Sequence, residues 1–191
     1  MNLPNKLSVL RLIMIPAFTA VFYISAIPYN YLISAIIFAL AALTDFLDGY
    51  IARKYSLVTN LGKFLDPIAD KVLVSTALIV MLVVPTGGSV ILPAYGGIAV
   101  AIILARELII SGFRMVAASK NVVLAADKSG KIKTFFQDIA IVVLLVGADF
   151  SNGLYSVVNI VGLALLGVAT ILTIYSGIEY LVKNKQVLKD N

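Results

Sequence analysis

The sequence predicts an all-α integral membrane protein. It is expected to be one domain over residues 1–191: a six-transmembrane-helix bundle with a short N-terminal interfacial helix and both termini cytoplasmic. Three observations carry that expectation. Of 191 residues, 61% are apolar and only 13% charged, with a mean hydropathy of +1.02. A soluble domain is about a quarter charged, and one of this length could not cover so much apolar surface. The apolar residues also fall into six stretches near the ~20 residues that cross a bilayer. Finally, Lys and Arg are absent from every second connection between those stretches.

The first span is expected over Leu7–Ile27. Leu3, Leu7 and Leu10, spaced i, i+4, i+7, predict an interfacial helix turn in front of it. Arg11 and Pro16 interrupt the apolar run and no small-residue cleavage site closes it, so the segment reads as a retained span rather than a leader. The further spans are expected over Tyr31–Arg53, Gly62–Val84, Gly97–Ala118, Lys131–Ala148 and Leu154–Lys183. Pro16 and Pro67 are candidate kinks, because proline removes a helix hydrogen bond.

Charge placement supports this count. The turns Ser25–Asn30, Pro85–Gly96 and Asp149–Gly153 contain no Lys or Arg, so all fifteen basic residues lie on the other side or within a few turns of it. The positive-inside rule makes that side cytoplasmic in a multi-pass cell (inner) membrane protein. A net charge of +5 there favours anionic lipid headgroups and anionic substrates. Nucleic-acid binding is the wrong reading of the basic pI, since no soluble surface remains to carry it.

The chain has no Cys and no His. Disulfides, zinc–thiolate sites, thiol nucleophiles and imidazole bases are therefore excluded. Acid–base and metal chemistry falls to the ten carboxylates. Charges at membrane depth are costly and mark function by default. Asp45 and Asp48 are i, i+3 near the inner end of the second span, and Asp66 and Asp70 are i, i+4 near the inner end of the third. Each pair occupies one helix face. Asp45 and Asp70 each lie ~12 Å from their helix ends, so the four carboxylates can converge. Hard divalent cations, Mg²⁺ above all, suit such a set, and two would suit this many ligands. The alternative is pairing with Arg53, Lys54, Lys63 and Lys71. Gly49, Ala52 and Gly62 interleave the acids and leave room for a ligand, and Arg53 is a natural partner for a phosphate or a carboxylate.

The run Asp45-x2-Asp48-Gly49-x2-Ala52-Arg53-x8-Gly62-x3-Asp66-x3-Asp70 matches eight fixed positions over 26 residues. It resembles the complete signature of the CDP-alcohol phosphotransferase family, whose members have six membrane helices. The resemblance implies transfer of a phospho-alcohol group from a CDP-linked donor to an acceptor hydroxyl, with release of CMP. It implies two divalent cations, Mg²⁺ or Mn²⁺, on Asp45, Asp48, Asp66 and Asp70, with Asp70 also the general base. It implies a nucleotide site shaped by Gly49, Ala52, Arg53 and Gly62, with Thr59 a contact and the Pro4-Asn5 segment closing over it. A homodimer is implied as well.

The second half carries Arg106, Glu107, Ser111 and Arg114 in the fourth span, and Lys131, Lys133, Thr134, Gln137 and Asp138 in the fifth. Glu107 and Arg114 are seven apart and so share a face. Arg106, Arg114, Lys131 and Lys133 together would bind a second anion, separate from the nucleotide. The alternatives are ordinary membrane anchoring for the lysines and pairing with Glu107 or the Asp cluster for the arginines. The segments 105–107, 111–114 and 130–134, and the opening Asn2-Leu3-Pro4-Asn5…Ser8…Arg11, resemble the branch of the family that makes the phosphatidylglycerol precursor. That resemblance implies CDP-diacylglycerol as donor and glycerol 3-phosphate as acceptor in phospholipid biosynthesis. Other branches, making cardiolipin, phosphatidylserine or a phosphatidylinositol phosphate, are the nearest alternatives. An ion or solute transporter is the alternative from another class.

Overall fold

A computed structural model describes the backbone of residues 3–54, 60–83, 91–120, 122, 124, 128–149 and 153–188, and side chains over 5–45, 47, 62, 65–83, 91–120, 122, 124, 129–149 and 157–187. It is all-helical over the described residues. Six α-helices follow in order: α1 Leu3–Tyr23, α2 Asn30–Lys54, α3 Asn60–Val80, α4 Gly96–Ser119, α5 Lys128–Ala148 and α6 Gly153–Lys183, then a 3-10 turn over Lys185–Leu188. Each expected span falls on one of these helices.

The main difference is at the start. No separate interfacial helix precedes the first span; Leu3 opens a helix that runs unbroken to Tyr23, and Pro16 lies inside it. The cause is polar. Asn5, Ser8 and Arg11 are buried, at 5%, 0% and 0% exposure, along one stripe of α1. Ser8 bonds to Asp66 of α3 and Arg11 to Asp45 of α2, so the first turns pack inward. At the far end α1 stops at Tyr23 rather than Ile27. Buried Asn30 donates from Nδ2 to the Phe22 carbonyl at 2.7 Å, satisfying one of the carbonyls that a helix end leaves open. Helix α3 stops at Val80, short of Val84. The Leu92 N–H then donates to the Met81 carbonyl at 3.0 Å and pins the connection into α4.

Packing follows an up-and-down order. Helix α5 lies along α6, α2 lies against α1 and α5, and α4 leans mainly on α6. Two glycines set the α5–α6 approach. A Cβ on Gly162 would meet Leu144 Cγ at 2.7 Å, and one on Gly147 would meet Val158 Cγ1 at 3.1 Å. Close backbones of this kind are typical where small residues face a neighbouring helix in a membrane. The core joins Phe18 and Phe22 of α1, Phe38 of α2, Leu73 and Leu78 of α3, and Ile141 and Leu144 of α5. Phe18 stands 6.3 Å from Phe38, ring centre to ring centre.

The outer surface is apolar. Ile13, Ile98, Leu108 and Ile171 are 61%, 66%, 73% and 68% exposed. Among the described residues, three stretches, Asn5–Tyr23, Gly96–Ser119 and Val157–Lys183, are long and apolar enough to cross a membrane.

The up-and-down order gathers one terminus of every helix at one end of the bundle. There meet the starts of α1, α3 and α5 and the ends of α2, α4 and α6. At the opposite end, Asp149 accepts the Leu32 N–H at the start of α2. Burial raises the Asp149 carboxyl above its usual range, while the Leu32 and Tyr31 backbone N–H groups act to lower it.

Candidate active site

The acidic half of the polar end is built by α1, α2 and α3. Asp45 sits on α2 with its side chain 42% exposed. Arg11, fully buried on α1, donates from Nη1 to Asp45 Oδ1 at 2.6 Å and from Nε to the Ala41 carbonyl at 3.2 Å. One turn earlier, Ser8 donates its hydroxyl to Asp66 Oδ1. Asp45 lies within electrostatic reach of both Asp66 and Asp70. The stripe Asn5, Ser8, Arg11 thus runs along the carboxylates of α2 and α3.

Among the described residues, no three acidic side chains form a group able to hold one metal ion. Asp48 lies on α2, and its side chain is outside the described set. The chemistry of the donors still suits a hard divalent cation: oxygen ligands only, on adjacent helix ends, at one depth. Gly49, Ala52 and Arg53 occupy the last turns of α2. Gly62 is buried on α3, and Thr59 lies outside the described residues.

The basic half is built by α4, α5 and α6 around one carboxylate. Glu107 Oε1 accepts from Lys133 Nζ at 2.7 Å and from Arg106 Nη1 at 3.0 Å. Lys133 is 2% exposed. Arg106 also donates from Nη2 to Ser176 Oγ of α6 at 3.2 Å. Two glycines make room for its side chain. A Cβ on Gly177 would stand 3.1 Å from Arg106 Cγ, and one on Gly130 would stand 3.6 Å from Nη2. Two cations therefore share one anion and leave a net positive charge.

The other two expected cations stand apart. Arg114, two turns along α4, donates from Nε to the Tyr180 hydroxyl at 3.1 Å and stacks over that ring at 5.4 Å. Lys131 is exposed. The structure thus brings Arg106 and Lys133 together and leaves Arg114 and Lys131 outside that cluster.

A cleft of about 300 Å³, solvent at its mouth included, joins the two halves. Asp70 and Ser75 line it from α3, Glu107 from α4, and Lys133 and Gln137 from α5. There Asp70 of the acidic half shares one lining with Lys133 of the basic half, and Lys71 of α3 joins them. Asp138, next along α5, is within electrostatic reach of Asp70 and Lys133.

Several members of the site have no motif of their own. Ser176 and Tyr180 are i, i+4 on α6 and complete the surroundings of Arg106 and Arg114. Their signal was a polar stripe on an otherwise apolar helix, with Thr173 one turn before. Ser8 gave the same kind of signal on α1.

Comparison with known proteins agrees with the signature. A family model described as CDP-alcohol phosphatidyltransferase matches residues 1–175. A protein of Rickettsia bellii is 41% identical over 179 residues, covering 94% of this chain and 93% of its own length. One of Bacillus subtilis is 40% identical over 200 residues, covering 98% and 97%. One of Salmonella typhimurium is 39% identical over 184 residues, covering 94% and 93%. All three bear the name CDP-diacylglycerol–glycerol-3-phosphate 3-phosphatidyltransferase. With all eight signature positions in place and the family model spanning residues 1–175, this chain belongs to the CDP-alcohol phosphatidyltransferase family.

Proposed function

We propose that this protein transfers the phosphatidyl group of CDP-diacylglycerol to glycerol 3-phosphate and releases CMP. The observation that carries the reading is the cleft lined by Asp70, Lys71, Glu107 and Lys133, with Arg106 paired to the same Glu107. The names of relatives near 40% identity over almost the whole chain support the choice of substrates.

The acceptor phosphate is held by Arg106 and Lys133. Glu107 orients both cations through one oxygen, which leaves their remaining N–H donors for the ligand. Arg114 and Lys131 lie further out, where they attract the anion from the cytoplasm. The primary hydroxyl of the acceptor then lies toward Asp70. Its oxygen attacks the phosphorus that carries diacylglycerol, its proton passes to Asp70, and the bond from phosphorus to the CMP oxygen breaks. Asp45, Asp48, Asp66 and Asp70 would hold divalent cations, Mg²⁺ or Mn²⁺ and two per site. Bound there, such ions neutralise the donor pyrophosphate and stabilise the CMP leaving group. Asn5, Gly49, Ala52, Arg53, Thr59 and Gly62 form the nucleotide side.

The apolar outer surface supports placement of all six helices in the cell membrane, with both termini and the polar end facing the cytoplasm. CDP-diacylglycerol then enters from the inner leaflet. The working unit is a homodimer.

The test is an acceptor panel with purified protein, CDP-diacylglycerol and Mg²⁺ or Mn²⁺. CMP release should require glycerol 3-phosphate. Release with serine or inositol, and none with glycerol 3-phosphate, would overturn the assignment.

A further inference from the structure

Within the cleft, one buried polar atom has no partner among the described residues. Gln137 is 1% exposed, lines the cleft, and its carbonyl oxygen Oε1 accepts no hydrogen bond. A buried acceptor left unmade costs about 1–3 kcal/mol, and such groups are rare in folded proteins unless something else fills them. Asp138 also has an unpartnered buried oxygen, but it does not line the cleft.

Gln137 has the right position for a ligand contact. It lies one turn beyond Lys133 on α5, ~6 Å along the helix axis. Lys133 belongs to the phosphate end and Asp70, on the facing helix, to the reacting end. Gln137 lines the same cleft as both of these groups.

We propose that Gln137 recognises the secondary hydroxyl of the acceptor, taking its hydrogen bond on Oε1. This rests on the acceptor reading above. A site that pairs a buried polar group with a substrate hydroxyl rejects the analogue lacking it, because the protein group is then stranded. Gln137 is a specificity residue in this role.

The test compares glycerol 3-phosphate with 3-hydroxypropyl phosphate, which lacks only the secondary hydroxyl. Both are assayed by CMP release from CDP-diacylglycerol with Mg²⁺. The wild-type protein should prefer glycerol 3-phosphate by about ten- to hundredfold in kcat/KM. Gln137→Met, similar in size but without the amide, should bring that ratio close to one. The ratio is the readout, since a general packing defect would lower both rates together and leave the preference standing. Equal use of both acceptors by the wild type overturns the proposal without needing a variant. So does an undiminished preference in Gln137→Met or Gln137→Leu. If the wild type releases CMP with a different acceptor and none with glycerol 3-phosphate, the acceptor reading falls and this assignment with it.

Discussion

The two halves of the polar end are organised around buried ions of opposite sign. In α1–α3, among the described side chains, buried Arg11 pairs with Asp45. In α4–α6, Glu107 pairs with Arg106 and Lys133. In each half a buried ion fixes partners of the other sign at a tolerable desolvation cost. The acidic half suits divalent cations and the basic half a phosphate. The cleft between them brings an oxygen acid and a positive pocket within one small substrate.

The two halves should fail differently when altered. Asp70→Asn should have the largest effect, lowering kcat by about 10²–10⁴-fold if the carboxylate takes the acceptor proton. The thermal midpoint in detergent should stay close to wild type; a near wild-type rate would separate Asp70 from proton transfer. Arg106→Ala should act on the basic half alone. Losing one charge-assisted contact of about 1.5–3 kcal/mol should raise KM for glycerol 3-phosphate about ten- to hundredfold, while KM for CDP-diacylglycerol holds. Parallel loss on both substrates would mean that the halves are not separate sites. A smaller change of the same kind is expected from Gly177→Ala, whose new Cβ would crowd Arg106 Cγ from 3.1 Å. The expected outcome is a several-fold rise in acceptor KM with little change in thermal midpoint, checked by the same assay. Asp149→Ala is the smallest. It removes the carboxylate at the start of α2 and should cost about 1 kcal/mol of stability. Being at the opposite end, it should leave both KM values alone.

Much of the fold was legible in the sequence. Six apolar stretches became six helices, because hydrophobic length is a local property that the bilayer thickness turns into an element. The misplaced feature was the N-terminal turn. The leucines at 3, 7 and 10 suggested a surface helix, yet Asn5 on the neighbouring stripe is buried and Ser8 and Arg11 have partners inside the bundle. Polar side chains in an apolar helix outweigh a short leucine stripe, since leaving them unpaired costs more than the leucines gain. On the basic half, four cations near one depth were visible, but only Arg106 and Lys133 meet.

The sequence by itself determined the helices, the end of the bundle that carries charge, and the carboxylate spacing, all set by short-range periodicity and the cost of burying charge. Tertiary structure decided which charges meet. Helix α4 leans on α6, and the gaps at Gly130 and Gly177 admit Arg106, so its guanidinium reaches Ser176 and Glu107. The face of α5 that turns inward buries Lys133 and Gln137 and leaves Lys131 outside. Arg114 goes to Tyr180 instead. Apart from the adjacent Arg106–Glu107 pair, these pairings join residues 26 to 70 positions apart. No local pattern encodes them, because they depend on which helix faces which and on where a missing side chain leaves space.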